Sequence, residues 1–427
     1  MLLEKLGRGI VLREVVALFY SFVYLFMPLM GYLYYTENND RARAFVRYMP
    51  IPKDTYFDLA LPAVTVFILV LCWPLHKDRS DEGESIQRTI AHARRQLVNN
   101  QKMGVVLVGL GVVISFIIQF MPSSLQYVFT LFYFASFAGL MYVYFSRDFP
   151  LRKTIMLLFG LFVVFGALRN GMFTIIAYMG MTLFSFFFIN RPVALWKKVI
   201  FFTIGVFCLI IIQTVKPEYR RTVLKTNKQE KASEFWNLAM KRMDNLDNLV
   251  TPEFMWPIYY RTNQGFYVAL VQRYMPASRP YDNGANLTVV ILSAFVPRFL
   301  WEDKPMAGGE ANMKYYTGYT IKGYTTNVGP LGEGYGSFGD MGAMYYMALL
   351  AFFVRFMYRK VFDYAEKAPL VIFWIPVMFY QVTYSGENDT LQIVNSLIKA
   401  VVFMYILYKA SPMLFTPKLR PYEEPIA

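Results

Sequence analysis

Cysteine and histidine are scarce: the 427-residue chain holds two of each. Cys72 and Cys208 both lie in apolar runs, so neither a disulfide framework nor a zinc site is signalled. His76 and His92 share one polar loop. Charge is scarce as well, at 17% of residues against about 25% in soluble domains. Residues 105–144 and 155–168 carry none at all. These shortages exclude a soluble enzyme with one core, a disordered chain and a single-span receptor. There is no internal repeat, no low-complexity tract and no phosphate-binding loop ending in GKS or GKT, which argues against an ATP-driven pump. The first apolar stretch, 15–35, is too long for the core of a cleavable signal and lacks a small-residue cleavage site.

What is abundant is apolar and aromatic sequence, 56% and 18%. A helix needs about 20 mostly apolar residues to cross a bilayer core. Windows near 10–35, 56–75, 104–121, 125–145, 154–168, 172–190, 199–215, 341–358, 368–384 and 391–409 meet that need. The expected fold is therefore all-α, a polytopic helical membrane protein of about ten spans. Two further stretches, 256–275 and 287–300, read as interfacial or re-entrant helices, and twelve spans result if both cross.

The net charge of +14 would point to nucleic acid in a soluble protein. Here it first sets sidedness and contact with membrane lipids, and no nucleic-acid partner is expected. Twenty Lys and Arg fall in one set of short loops and at both termini, against five in the opposite short loops. The positive-inside rule then puts both termini in the cytoplasm. The chain divides into an N-terminal bundle (1–215), a large outward region (216–340) and a C-terminal bundle with a short tail (341–427). The outward region carries 15 Lys/Arg and 12 Asp/Glu, so it is nearly neutral.

Candidate chemistry gathers on the outward side. Arg169, in "LRNG" (168–171), follows an apolar run; it is either a snorkelling anchor or an anion clamp, since guanidinium grips phosphate bidentately. "PRFLWEDKP" (297–305) sets Arg298, Trp301 and Lys304 at headgroup depth, as lipid-phosphate contacts or plain anchors. "GPLGEGYGSFGDMG" (329–342) is a glycine-rich stretch around Glu333, read as an outward loop open to close ligand approach. Tyr324 and Tyr335 lie in or beside it, with rings suited to sugar stacking. "SGENDTLQIVNSLIK" (385–399) places Glu387 and Asp389 in a turn. Lys399 lies three turns into the following span, on the face of Gln392, Asn395 and Ser396 that is expected to look into the bundle.

Together these residues resemble the Wzy-type O-antigen and capsule polymerases, over about a quarter of the chain. The resemblance implies a glycosyltransferase of the bacterial inner membrane. It would move a growing glycan from undecaprenyl pyrophosphate to a sugar hydroxyl of a second lipid-linked unit. No cofactor and no metal are implied, and the transfer would invert the anomeric centre. A chain-length regulator and a flippase would be its partners. In such a mechanism Arg169 and Arg298, joined by Arg261 or Arg273, hold the pyrophosphate and Glu333 is the general base, with Glu387 or Asp389 as the alternative. Other readings are an O-antigen ligase or another polyprenyl-linked glycosyltransferase, and a lipid-linked glycan flippase. The ligases are expected to use an outward histidine, whereas both histidines here fall on the cytoplasmic side by the charge count.

Overall fold

The computed structural model describes the chain except residues 36–40, 74–79, 99–100, 147–148, 171–179, 190–192, 227–230, 245–250, 297–299, 302, 306–308, 321–326 and 417–427; in parts of some helices only the backbone is described. The described residues are helical, with isolated β-bridges near Gly9 as the sole β-structure among them. Among the described residues seven helices are long and apolar enough to cross a membrane, which makes the chain a multi-pass membrane protein. In chain order, α1 is Leu12–Tyr34, α2 the short Ala42–Tyr48, α3 Lys53–Cys72 and α4 the amphipathic Gly83–Val98. The hairpin of α5 (Gln101–Ile117) and α6 (Ser123–Phe145) follows, then α7 (Arg152–Asn170), α8 (Gly180–Phe188), α9 (Leu195–Thr226) and α10 (Lys231–Met243). Four short helices come next: α11 (Pro252–Thr262), α12 (Gly265–Tyr274), α13 (Ala285–Phe295) and α14 (Glu310–Thr317). Last are α15 (Gly329–Ala365), α16 (Pro369–Met378) and α17 (Thr390–Ala410).

The two stretches expected to be interfacial or re-entrant are short helices, as α11–α12 and α13. The window at 368–384 differs from its reading. Prolines at 369 and 376 break it into a 3-10 turn, a short helix and a further turn, Tyr380–Thr383.

The glycine-rich stretch differs most. It is helical and buried, and α15 breaks at Gly339, whose φ of 72° and ψ of −166° only glycine adopts readily. The break is sharp enough that Gly334, five residues before it, packs on Tyr346, seven after: a Cβ at Gly334 would come within 2.7 Å of that ring. A straight helix would hold these residues about 18 Å apart. Residues 329–338 are thus a re-entrant arm folded against the spanning arm 340–365. The spanning arm shows lipid an apolar row, Met341, Tyr345, Leu349 and Phe352, and buries Met347, Ala351, Val354 and Tyr358. The expected domain boundary at 340 falls inside this single hairpin.

A proline organises the first span. Residues 22–26 form a π-helical turn ahead of Pro28, which has no N–H to give. The carbonyls of Val23 and Tyr24 accept instead from the Gln264 N–H (3.2 Å) and the Tyr56 hydroxyl (2.7 Å). In this way α1 is tied to α3 and to the junction of α11 with α12.

At the bundle end that carries the N-terminus, four charges are buried together. Lys5 donates to Glu14 (2.9 Å) and Asp81 (2.7 Å), and Arg13 pairs with Asp81 at 3.0 Å. The Tyr358 hydroxyl also donates to Asp81. Arg355 donates to the Val70 and Trp73 carbonyls, both at 2.6 Å, and so caps the C-terminal end of α3.

Candidate functional site

Each end of the re-entrant arm has a reason to be where it is. Gly329, with φ 82°, touches the Tyr24 ring and would clash there with any Cβ. The Tyr24 hydroxyl donates to the Gly386 carbonyl (2.8 Å), which locks the turn before α17 beside the arm. Further along, Gly336 makes room for the Tyr316 ring of α14. The glycines therefore admit aromatic rings against the arm.

Glu333 lies at the centre and is 1% exposed. One carboxylate oxygen accepts from Asn312 Nδ2 of α14 at 2.6 Å. The other accepts from the backbone N–H (2.8 Å) and the hydroxyl (2.5 Å) of Thr390, at the start of α17. Thr390 Oγ also meets the Tyr346 hydroxyl. The network continues through Asn286, which donates to Asn312 Oδ1 (3.3 Å) and to the Tyr316 hydroxyl (3.2 Å), and Tyr316 meets Ser337 at 3.0 Å. Burial pushes the Tyr316 phenol well above its ordinary pKa, with Glu333 adding to the shift, so it stays neutral in the network. Tyr346 lies twelve residues before Tyr358, or about 18 Å along the spanning arm from the charge cluster at the far end. That is less than the roughly 30 Å of a bilayer core, so the spanning arm holds the Glu333 carboxyl within one bilayer thickness of that cluster. Ionisable groups there are functional or paired by default.

Beside this buried group lies an accessible ion pair. Arg261, at the end of α11, donates to Glu387 at 3.0 Å; their side chains are 49% and 12% exposed. Asn327 donates to the Glu387 carbonyl (2.9 Å) and to Gln392 Oε1 (3.3 Å). Only Asn388 and Asp389 separate Glu387 from Thr390, so both carboxylates belong to one end of the bundle.

The other sequence candidates scatter. Arg298 and Tyr324 lie outside the described residues, and of Arg169 only the backbone, in the last turn of α7, is described. Asp389 is buried as the N-cap of α17, accepting from Gln392 N–H at 2.7 Å. Lys304 donates to the Val296 carbonyl at 2.8 Å, and Trp301 is partly buried. Arg273 is exposed at the end of α12. Tyr335 offers no open ring for a sugar: it is buried, its hydroxyl donates to the Met275 carbonyl, and Tyr281 packs edge-on against it. Lys399 also departs from its expected place. Ser396 is buried, but Lys399 is exposed, with its ammonium 4.7 Å from the Tyr127 ring centre.

Asn312, Thr390, Asn286 and Tyr346 were not legible as site residues. Thr390 had a signal, since it follows the acidic turn directly, but Asn312 had none. Among the described residues no three of His, Cys, Asp and Glu gather as a metal-ligand group. Comparisons with protein-family models, with curated proteins and with solved structures gave no match to this chain.

Proposed function

We propose that the chain is a membrane glycosyltransferase that polymerises polyprenyl-pyrophosphate-linked oligosaccharide units at the bacterial inner membrane. One observation carries the reading. Glu333 and Thr390, from two motifs that resemble the Wzy-type polymerases, are hydrogen-bonded to each other at the bundle end that carries the accessible Arg261–Glu387 pair. A carboxylate and a guanidinium at one end of the bundle suit a substrate whose pyrophosphate lies at the headgroups and whose sugars project outward.

In this reading Arg261 stabilises the charge on the departing pyrophosphate, joined by Arg169 and Arg298 as read from the sequence. Glu333 takes the proton of the acceptor hydroxyl as its oxygen attacks the anomeric carbon and the carrier phosphate leaves. Glu387 is the alternative base. The energy resides in the sugar–phosphate bond. The buried Lys5–Arg13–Glu14–Asp81 cluster ties the opposite end together, which favours a one-sided enzyme over a flippase that must open both ways.

Deleting the chain in its host and separating the surface glycan by size tests this. Lipid-linked single repeats without long chains are the expected result. Loss of all outward glycan would instead indicate a flippase, and unchanged polymer would end the proposal.

A further inference from the structure

A general base must meet its acceptor, yet both Glu333 oxygens are occupied and the side chain is sealed. Thr390 and the spanning arm of α15 belong to the packed bundle. The remaining partner, Asn312, belongs to α14, an eight-residue helix of a different character. It begins after Gly309 (φ 102°, ψ −149°) and stops at Gly318 (φ 73°, ψ −8°). Both conformations favour glycine, so the helix is flanked at each end by the residue with the freest backbone.

Its attachment is polar as well as apolar. Asn312 donates to Glu333 and accepts from Asn286, Tyr315 donates to Asp282 at 2.9 Å, and Tyr316 meets Ser337 and Asn286. Water or a sugar hydroxyl can replace hydrogen bonds of this kind at small net cost, unlike apolar contacts. Met313 and Tyr316 are fully buried in the core and Tyr315 packs against it, so lifting the helix parts these contacts as well. Asp282 also caps α13, donating nothing and accepting from the Gly284 and Asn286 N–H groups, so the support beneath α14 stays formed without it.

We infer that α14 is a hinged cover over Glu333, latched by Asn312, and that it lifts when an acceptor sugar arrives. The acceptor hydroxyl then takes the place of the Asn312 amide at Glu333. Asn312 acts as a positioning residue: closed, it fixes the carboxylate rotamer and keeps other hydroxyl groups, water included, from the base. The function of the opening rests on the glycosyltransferase reading, whereas the motion itself does not.

Two measurements on the full-length protein decide it. In lipid nanodiscs without substrate, amide exchange over 313–317 is expected to be at least tenfold faster than over α13, and about tenfold faster again in Asn312→Ala, with α13 and α17 unchanged. Equal protection of α14 and α13, unmoved by Asn312→Ala, overturns the cover. In cells, Arg279→Cys/Tyr315→Cys, a pair outside the Glu333 network whose guanidinium and ring centre lie 3.7 Å apart in the native chain, on a background with Cys72 and Cys208 replaced by Ser, pins the cover when the two thiols are bridged by a short cross-linker that a reductant can cleave. Loss of long polymer on bridging and its return on cleavage support the inference. Full polymer with the bridge confirmed in place overturns it. If deletion of the whole chain leaves polymer intact, the functional reading fails, and the exchange result still decides whether the cover moves.

Discussion

Replacing Glu333 by Gln and by Ala separates its chemistry from its packing. Gln keeps the shape and one acceptor oxygen. Turned toward Thr390, that oxygen retains the two hydrogen bonds from the Thr390 N–H and hydroxyl. The new NH2 then faces Asn312 Nδ2, which is a donor too. The conflict can move outward. Asn312 flips its amide, Asn286 flips in turn, and the Tyr316 hydroxyl donates to Asn286 while Ser337 donates to Tyr316, because both hydroxyls can reverse. The net loss is of the order of one hydrogen bond, about 1 kcal/mol. Ala has no such escape. It leaves the Thr390 N–H and the Asn312 amide unpaired in a buried site and opens a cavity, at about 3–5 kcal/mol. Thermal unfolding in detergent, followed by retention of the monodisperse peak, is expected to order the proteins wild type, Gln, Ala, with Gln close to wild type. Polymer length on gels is expected to collapse in both, since loss of a general base costs about 10²–10⁴ in rate. A Gln protein that polymerises normally would refute the base assignment. An Ala protein as stable as Gln would refute the hydrogen-bond account.

Other substitutions test other parts of the structure. Asp81→Ala leaves Lys5 and Arg13 buried without their shared counter-charge, and a loss of about 3–5 kcal/mol is expected, read as reduced yield and earlier thermal unfolding. Gly336→Ala drives a methyl into the Tyr316 ring and should cost about 1–3 kcal/mol in the same assay, with α14 amides exchanging faster. Arg261→Ala removes an exposed ion pair, so stability should change by at most about 1 kcal/mol while polymer synthesis falls sharply; full polymer would remove Arg261 from the site.

Seven of the ten apolar windows coincide with helices of spanning length among the described residues, because hydropathy over 18–20 residues is a local property. Glu333, Glu387 and Arg261 are legible too, since ionisable groups beside apolar runs stand out in a charge-poor chain. Their environment is not. The glycines around Glu333 look like a loop because glycine is a poor helix former on average. In the fold they sit in helix, where tyrosine rings from α1, α14 and the spanning arm come too close for any Cβ. Lys399 was placed inward by its spacing from Ser396, but helical spacing gives only relative angle. Which side of α17 meets the bundle depends on where α13 and α6 pack.

Low charge and long apolar runs were enough by themselves to determine a helical, multi-pass membrane chain, because each span must satisfy its own backbone in lipid. The tertiary structure alone decided that 329–338 turns back at Gly339, that Asn312 and Thr390 close on Glu333, and that Asp389 is a helix cap. The closure on Glu333 comes from contacts between residues 21 and 57 positions apart, and no local pattern encodes which distant side chain will occupy a buried carboxylate.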